Sequence, residues 1–427
     1  MPAASALGDR IAAIWRIESA SLIAALLRLV RDVGLAEDLA QDALLAALEQ
    51  WPQTGVPDRP GAWLMTTAKH RAIDRLRRDI LHRERSEALS AEIEAQLHDT
   101  QSRPDTEPED HALGDDLLRL MFIACHPVLA PEARVALTLR LLGGLSTEEI
   151  ARAFLLPEPT IAQRIVRAKR TLGERRIPFE LPDASELVAR LDSVLGVIYL
   201  IFNEGYAATA GADWLRPALC EEAQRLGRIL AGLAPRIAEV HGLLALMELQ
   251  ASRLRARTAA DGEPILLPDQ DRGRWDRLLI GRGLAALATA EALAKRRGSY
   301  ALQAAIAACH ARATTAEATD WPCIVSLYDA LLELAPSPVV ALNRAVALGM
   351  AEGPAAALVV VDLLGAEPGL LAYPWLASVR GDLLAKLGRH REAAAEFSRA
   401  ASLTRNERER RFLSRRAADC VAAAARS

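Results

Sequence analysis

Residues Leu145–Leu172 read LSTEEIARAFLLPEPTIAQRIVRAKRTL, and no other stretch of this chain constrains the local fold as tightly. Ser146-Thr147-Glu148-Glu149 has the spacing of a capping box, in which the Ser146 hydroxyl accepts from the Glu149 N–H and the Glu149 carboxylate reaches back. Gly143-Gly144 just before it stops a preceding helix expected over Pro131–Leu142. The helix opened by the box runs to about Phe154, Leu155–Pro157 turns, and Pro159 is tolerated in the first turn of a second helix. There Ile161, Ile165, Ala168 and Leu172 recur at spacings of four, three and four, which makes one buried stripe. Thr160, Gln163, Arg164, Arg167 and Arg170 fall on the opposite face, with Lys169 on the same helix. Glutamine pairs with adenine and arginine with guanine or phosphate, so a helix-turn-helix with this outer face is equipped to read a DNA major groove.

Two earlier stretches add to this. In Leu35–Trp51, Glu37, Asp38, Gln41 and Asp42 share a polar helical face, while Leu39, Ala43 and Leu48 are expected to turn inward. Pro60-Gly61 then opens a helix with apolar positions at Leu64, Ala68, Ala72, Leu76 and Ile80. Lys69, His70, Arg71, Arg75, Arg77, Arg78, Arg83 and Arg85 make it basic, against Asp74, Asp79 and Glu84, and Trp63 stands near its start. A basic helix beside an aromatic ring suits phosphate contact and base stacking on unpaired DNA.

At Glu37-Asp38-Leu39-Ala40-Gln41-Asp42, at Trp63-Leu64 followed by Ala72–Arg78, and at the helix-turn-helix, the chain resembles a bacterial RNA polymerase sigma factor of the extracytoplasmic-function type. The three motifs stand in the family's order and cover roughly Ile11–Arg176. The resemblance implies that Asp38, Gln41 and Asp42 dock on core polymerase. It implies that the loop Trp51–Pro60 captures a flipped base of the minus-ten element. Trp63, Lys69, His70, Arg71, Asp74, Arg75, Arg77 and Arg78 then contact and help melt that element. It implies also that Thr160, Gln163, Arg164, Arg167, Lys169 and Arg170 bind the minus-thirty-five element. His70 stands where the family often has asparagine, which leaves the minus-ten preference open.

These readings divide the chain into residues 8–85 (sigma region 2), 86–113 (an acidic flexible linker), 114–178 (sigma region 4), 185–285 (a helical extension) and 286–427 (tetratricopeptide-like helical repeats). In Arg85–Asp116 the bases are Arg85 and Arg103, and the acids include Glu87, Glu92, Glu94, Asp105, Asp115 and Asp116. Prolines at 104 and 108 argue against a helix from Thr100 to Asp110. Hydrophobic residues are 51% and aromatics only 4%, and the excess of alanine and leucine over β-branched and aromatic types favours an all-α fold. The net charge of −3 would not announce a DNA-binding protein; the local clusters do. The start, MPAASALGDR, has no charged segment followed by a long apolar run, and no window holds ~18 uninterrupted apolar residues, so neither a signal peptide nor a membrane span is expected, and the cytoplasm is the expected location.

Beyond Pro182, Leu187–Phe202 reads as a buried helix, Asn203–Tyr206 as a turn, and Leu215–Leu233 and Ile237–Arg257 as amphipathic helices. Asp269, Asp271 and Asp276 surround Trp275, but no nucleophile, glycine-rich phosphate loop or histidine cluster accompanies them, so a loop locking helices together is expected and not an active site. Val340–Leu358 and Ala377–Phe397 align at an offset of 36, with Arg344 on Arg380 and Ala357 on Ala393, close to the ~34-residue tetratricopeptide period. Cys125, Cys220, Cys309, Cys323 and Cys420 form no close C-x-x-C pair and read as ordinary buried thiols. The expected protein is a sigma initiation factor without catalytic residues, cofactor or metal. Its expected partners are core RNA polymerase, promoter DNA and a regulatory contact through the C-terminal helices. The alternative is a helix-turn-helix activator with a ligand- or protein-sensing helical domain. That reading leaves the Asp38–Asp42 and Trp63–Arg78 patterns unexplained.

Overall fold

A computed structural model describes the backbone of residues 2–82, 110–154, 156–183, 186–208, 214–259 and 262–426, and within these ranges the side chains of 2–6, 9, 76, 78–82 and 110–113 are left undescribed. Nearly all of the acidic linker, 86–109, lies outside the described residues. The described chain is all-α, with one isolated antiparallel bridge, Thr258 to Pro264. It divides into two compact units at Ile198–Tyr199.

The first unit opens with α1 (Pro2–Val30), α2 (Val33–Thr54) and α3 (Pro60–His82). Asp32 caps α2 by accepting from Leu35 N at 2.7 Å, and Gly55, at φ +84°, ends it. Such a cap is worth about 1 kcal/mol. The inner face of α2 is built of Ala36, Ala40, Ala43 and Ala47, all fully buried, which lets α1 approach closely. That face displaces Leu48, which is 44% exposed and does not turn inward as expected. Glu37, expected on the outer polar face, is 3% exposed. Leu22, Ile23, Leu26 and Leu27 of α1, Trp51 of α2 and Leu64 of α3 are all buried in this core.

Next come α4 (Asp110–Ala124), α5 (Pro131–Leu141), α6 (Thr147–Phe154) and α7 (Glu158–Glu174). Residues 110–113, read as the end of the linker, belong to the first turns of α4, where the Asp116 carboxylate is buried against Arg119 at 2.7 Å and Arg28 at 3.4 Å. The short helices α5–α7 pack on one another, and α7 also meets α2. Gly144 sits at φ +64°, and a Cβ there would lie 2.8 Å from the Ser19 hydroxyl of α1. Only glycine turns the chain here and lets it pass α1 so closely.

α8 (Leu187–Tyr206) carries Leu191, Val194, Val197 and Ile198 into the first unit's part of the chain. Asn203–Tyr206, expected as a turn, is its last helical turn. Gly205 is there for clearance, since a Cβ on it would stand 2.7 Å from Cys220 N. The second unit continues with α9 (Pro217–Leu233), α10 (Ala238–Ala251), α11 (Arg277–Leu293), α12 (Ser299–Arg312) and α13 (Trp321–Leu334). The helix expected to run to Arg257 stops at Ala251, and a short 3-10 turn, Leu254–Ala256, takes over. Two more such turns, Leu267–Asp269 and Arg272–Arg274, precede α11.

From there α14 (Pro338–Ala351), α15 (Pro354–Leu364), α16 (Pro374–Lys386), α17 (His390–Leu403) and α18 (Glu407–Ala424) each pack mainly on their neighbours in sequence. The 36-residue offset has a physical counterpart. Arg344 on α14 pairs with Asp329 on α13 at 2.5 Å, and Arg380 on α16 pairs with Asp362 on α15 at 2.8 Å. Ala357 and Ala393 are both fully buried where helices cross, beside Gly349 and Gly381 respectively.

Candidate nucleic-acid interface

The helix-turn-helix forms as its sequence dictates. Ser146 Oγ accepts from Glu149 N at 3.0 Å, and Glu149 Oε2 accepts from Ser146 N at 2.8 Å. Burial would raise the Glu149 carboxyl, but the Ser146 N–H and the Arg16 guanidinium, 2.6 Å away, hold it below the usual glutamate range. Ile161, Ile165, Ala168 and Leu172 are the buried residues of α7. Gln163, Arg167 and Arg170 are exposed, and Thr160 and Arg164 are half-buried. Arg170 lies 3.4 Å from Glu174 on its own helix, an exposed pair of little energetic weight.

Lys169 is placed differently from its neighbours. Its ammonium pairs with Glu37 of α2, and its side chain is only 20% exposed. The other Glu37 oxygen accepts from Arg140 Nε at 2.6 Å and from Gln41 Nε2 at 2.8 Å. Arg140 also donates to the Leu145 carbonyl at 3.1 Å, just ahead of α6. One buried carboxylate thus ties α2 to α5 and α7. The sequence placed Glu37 on a polar face and gave no sign of Arg140 as its partner, because the two are 103 positions apart.

On α3, Trp63 is half-buried, its ring edge-on to Trp51 at 5.3 Å. His70, Asp74, Arg75 and Arg77 are exposed, and the Arg78 side chain lies outside the described residues. Lys69 is half-buried, and burial, aided by nearby Arg28, pushes its ammonium below the usual lysine range. Arg71 donates to the Asp42 carbonyl at 2.6 Å and stands 3.8 Å from its carboxylate. On α2, Asp38 and Asp42 are exposed and Gln41 is half-buried. Leu45 at 55% and Leu48 at 44% exposure continue the same outer face. The sequence reading passed over Leu45 and turned Leu48 inward; their helical spacing from Asp38 and Asp42 was the available signal.

Among the described residues no group of histidine, cysteine, aspartate or glutamate is arranged to hold a metal ion. Of Asp269, Asp271 and Asp276, expected in a loop that locks helices together, the last two are helix caps. Asp271 accepts from Gly273 N at 2.8 Å, and Asp276 accepts from Leu278 N and Leu279 N at 2.9 and 3.1 Å.

Residues 18–79 match the model of sigma-70 region 2, and residues 119–172 match that of sigma-70 region 4. The chain is 30% identical over 181 residues to a probable ECF RNA polymerase sigma factor, SigI, of Mycobacterium tuberculosis, which is 42% of this chain and 60% of that relative. The chain thus carries sigma-70 regions 2 and 4, in the order found in extracytoplasmic-function sigma factors. The factor carries a C-terminal extension, of which residues 190–291 match a family of unknown function, DUF6596. It is also 45% identical over 391 residues to an uncharacterized protein of Rhizobium meliloti, covering 91% of this chain and 90% of that one, so the extension is shared. Among the described residues of the factor, no helix is long and apolar enough to cross a membrane.

Proposed function

We propose that the chain binds core RNA polymerase through the outer face of α2, directs it to promoters through α7, and helps open the minus-ten element through α3. The observation that carries this reading is the division of α7 into two faces. Its apolar stripe is consumed by the fold, while Gln163, Arg167 and Arg170 have no structural task that exposure does not already satisfy. Such side chains are free to spend their hydrogen bonds on base edges and phosphates. The outer face of α2 supports the docking half of the reading. Exposed carboxylates at Asp38 and Asp42 flank exposed Leu45 and Leu48, a combination suited to a partner helix carrying bases and apolar residues.

The C-terminal helices are proposed to regulate this work. Their helix pairs, with small residues at the crossings, have the packing logic of tetratricopeptide arrays, which present concave surfaces to peptides or other domains. The factor performs no covalent chemistry in this reading; the polymerase does.

Mixing the purified chain with core polymerase and mapping transcript starts tests the proposal. Specific starts are expected, and they are expected to vanish in the double variant Asp38→Arg with Asp42→Arg, which should no longer co-purify with polymerase. Undiminished co-purification overturns the docking assignment. Removal of 184–427 is expected to change promoter output; identical output under all conditions overturns the regulatory role.

A further inference from the structure

Six arginines of the second unit, at positions 253, 255, 257, 272, 274 and 277, gather around Trp275 and Tyr206 and form no ion pair among the described residues. Arg253, Arg257 and Arg272 are buried, at 9%, 6% and 9% exposure. Their partners are neutral. Arg253 donates to the Tyr206 hydroxyl at 2.8 Å and to Gln250. Arg257 donates to the Tyr206 carbonyl and stacks on the rings of Tyr206 at 3.6 Å and Trp214 at 4.4 Å. Arg272 donates to the carbonyls of His310 and Ala313 at 2.5 and 2.8 Å, and lies 4.7 Å from the centre of the Trp275 ring. Charges taken out of water are costly, and here they are held by neutral hydrogen-bond partners, with the Glu317 carboxylate acting on Arg272 from the surface.

Directly against this layer is an open cleft of about 860 Å³, lined by Arg255, Thr258, Arg274, Trp275, Asp276 and Arg277. Arg255, Arg274 and Arg277 are exposed and have no ion-pair partner among the described residues. The one carboxylate of the lining, Asp276, caps α11 through its Oδ1. Trp275 links the two layers. Its ring is 3% exposed, it lines the cleft, and it has the Arg253 and Arg272 guanidinium groups 5.8 and 4.7 Å from its centre. The positive field reaches other groups as well. Burial, with Arg253 and Arg272 adding to it, drives the His310 imidazole down to about 3.

We propose that the cleft at the start of α11 is a binding site for a small anion carrying two or more phosphate groups, such as a free diphosphate or a nucleoside diphosphate. Arginine forks match phosphate oxygens two at a time, and three of them at one mouth favour a ligand with several charges over one with a single charge. The buried arginines beneath act through a medium that screens them far less than water does. The site belongs to the extension and shares no residue with those assigned to DNA and polymerase, so it survives or fails independently of that assignment.

Calorimetric titration of the full chain with pyrophosphate, at constant ionic strength, tests the proposal. Saturable binding is expected, at least tenfold tighter than orthophosphate. It is expected to weaken at least tenfold in the triple variant Arg255→Ala, Arg274→Ala, Arg277→Ala, whose exposed positions leave the fold intact by circular dichroism. A nucleoside diphosphate serves as a second probe. Equal affinity points to a site for the phosphates alone, and tighter binding points to one that also takes the nucleoside; both support the proposal. Absence of saturable binding overturns it, as does full affinity in the triple variant. A variant that loses only affinity for single-stranded DNA overturns the small-ligand site in favour of a nucleic-acid surface.

Discussion

Arg140 on α5 donates to Glu37 on α2 at 2.6 Å, across 103 positions of sequence, and the carboxylate it meets is 3% exposed. With Lys169 of α7 on its other oxygen, Glu37 answers two positive charges at once. Removing it strands both. Glu37→Ala is expected to destabilise the first unit by about 3–5 kcal/mol, the usual cost of breaking a buried pair from one side. Urea unfolding followed through tryptophan fluorescence checks this, and an unmoved midpoint contradicts it. Glu37→Gln keeps the shape and an oxygen that accepts from Arg140 and Gln41, but loses the charge and the acceptor for Lys169, and is expected to cost less. In both variants Lys169 is released, so non-specific duplex affinity should rise, with a steeper dependence on salt.

Gln163 and Arg167 stand on the exposed side of α7, with nothing in the fold resting on them. Gln163→Ala or Arg167→Ala should therefore leave stability within about 0.5 kcal/mol, as surface changes do. Each is expected to cost about 1–3 kcal/mol of discrimination at the minus-thirty-five element for a lost base contact. A footprint of the polymerase holoenzyme on promoter variants measures this; an unaltered footprint contradicts the assignment of α7.

What was legible in the sequence follows from how far apart the interacting residues lie. The capping box at Ser146–Glu149 and the stripe Ile161, Ile165, Ala168, Leu172 depend on neighbours three and four positions away, and both stand in the structure as spacing required. The offset of 36 between Arg344 and Arg380 was legible for the same reason, since a repeat restates its contacts locally. Glu37 was not legible as a buried hub, because a polar periodicity cannot say which member of a face another helix will cover. The turn at Asn203–Tyr206 was misread for a related reason. Glycine there serves the approach of Cys220, a contact made across the helix pair and not along the chain.

Cys309 and Cys323 show the same limit from the other side. Fourteen positions apart, they read as unrelated buried thiols, yet α12 and α13 bring their sulfurs within 3.8 Å, and both are only half-buried. A diazene oxidant, which takes up both thiol hydrogens, is expected to join them selectively over Cys125, Cys220 and Cys420, which are buried. Burial, with Cys323 and Asp320 adding to it, pushes the Cys309 thiol up to about 12, so the reaction should be slow at neutral pH and faster as pH rises. Closing a loop of this size stabilises by about 3 kcal/mol in the chain-entropy account. Peptide mapping of the oxidised chain should find the 309–323 link, and unfolding of the second unit should require more denaturant; scrambled or absent links contradict the geometry.

His310 contributes to the second unit's response to acid. Its imidazole is 8% exposed, edge-on to Trp321 at 5.2 Å, and faces the Arg253 and Arg272 charges. Burial and those two arginines lower its folded value to about 3 from 6.5. The folded state thus refuses a proton that the unfolded state accepts. Above pH 6.5 both states hold the ring neutral, and its contribution to stability is complete. Between about 6.5 and 3 the unfolded chain takes up the proton and the folded chain does not, so stability falls by up to about 1.4 kcal/mol for each pH unit descended. His310→Phe keeps an aromatic ring against Trp321 and removes the titration. The difference in unfolding free energy between wild type and variant is therefore expected to be flat above pH 6.5 and to slope below it, the variant losing less. Because every carboxylate titrates alike in the two proteins, that difference isolates His310, and parallel pH profiles through the interval would show that the ring is protonated at its ordinary value.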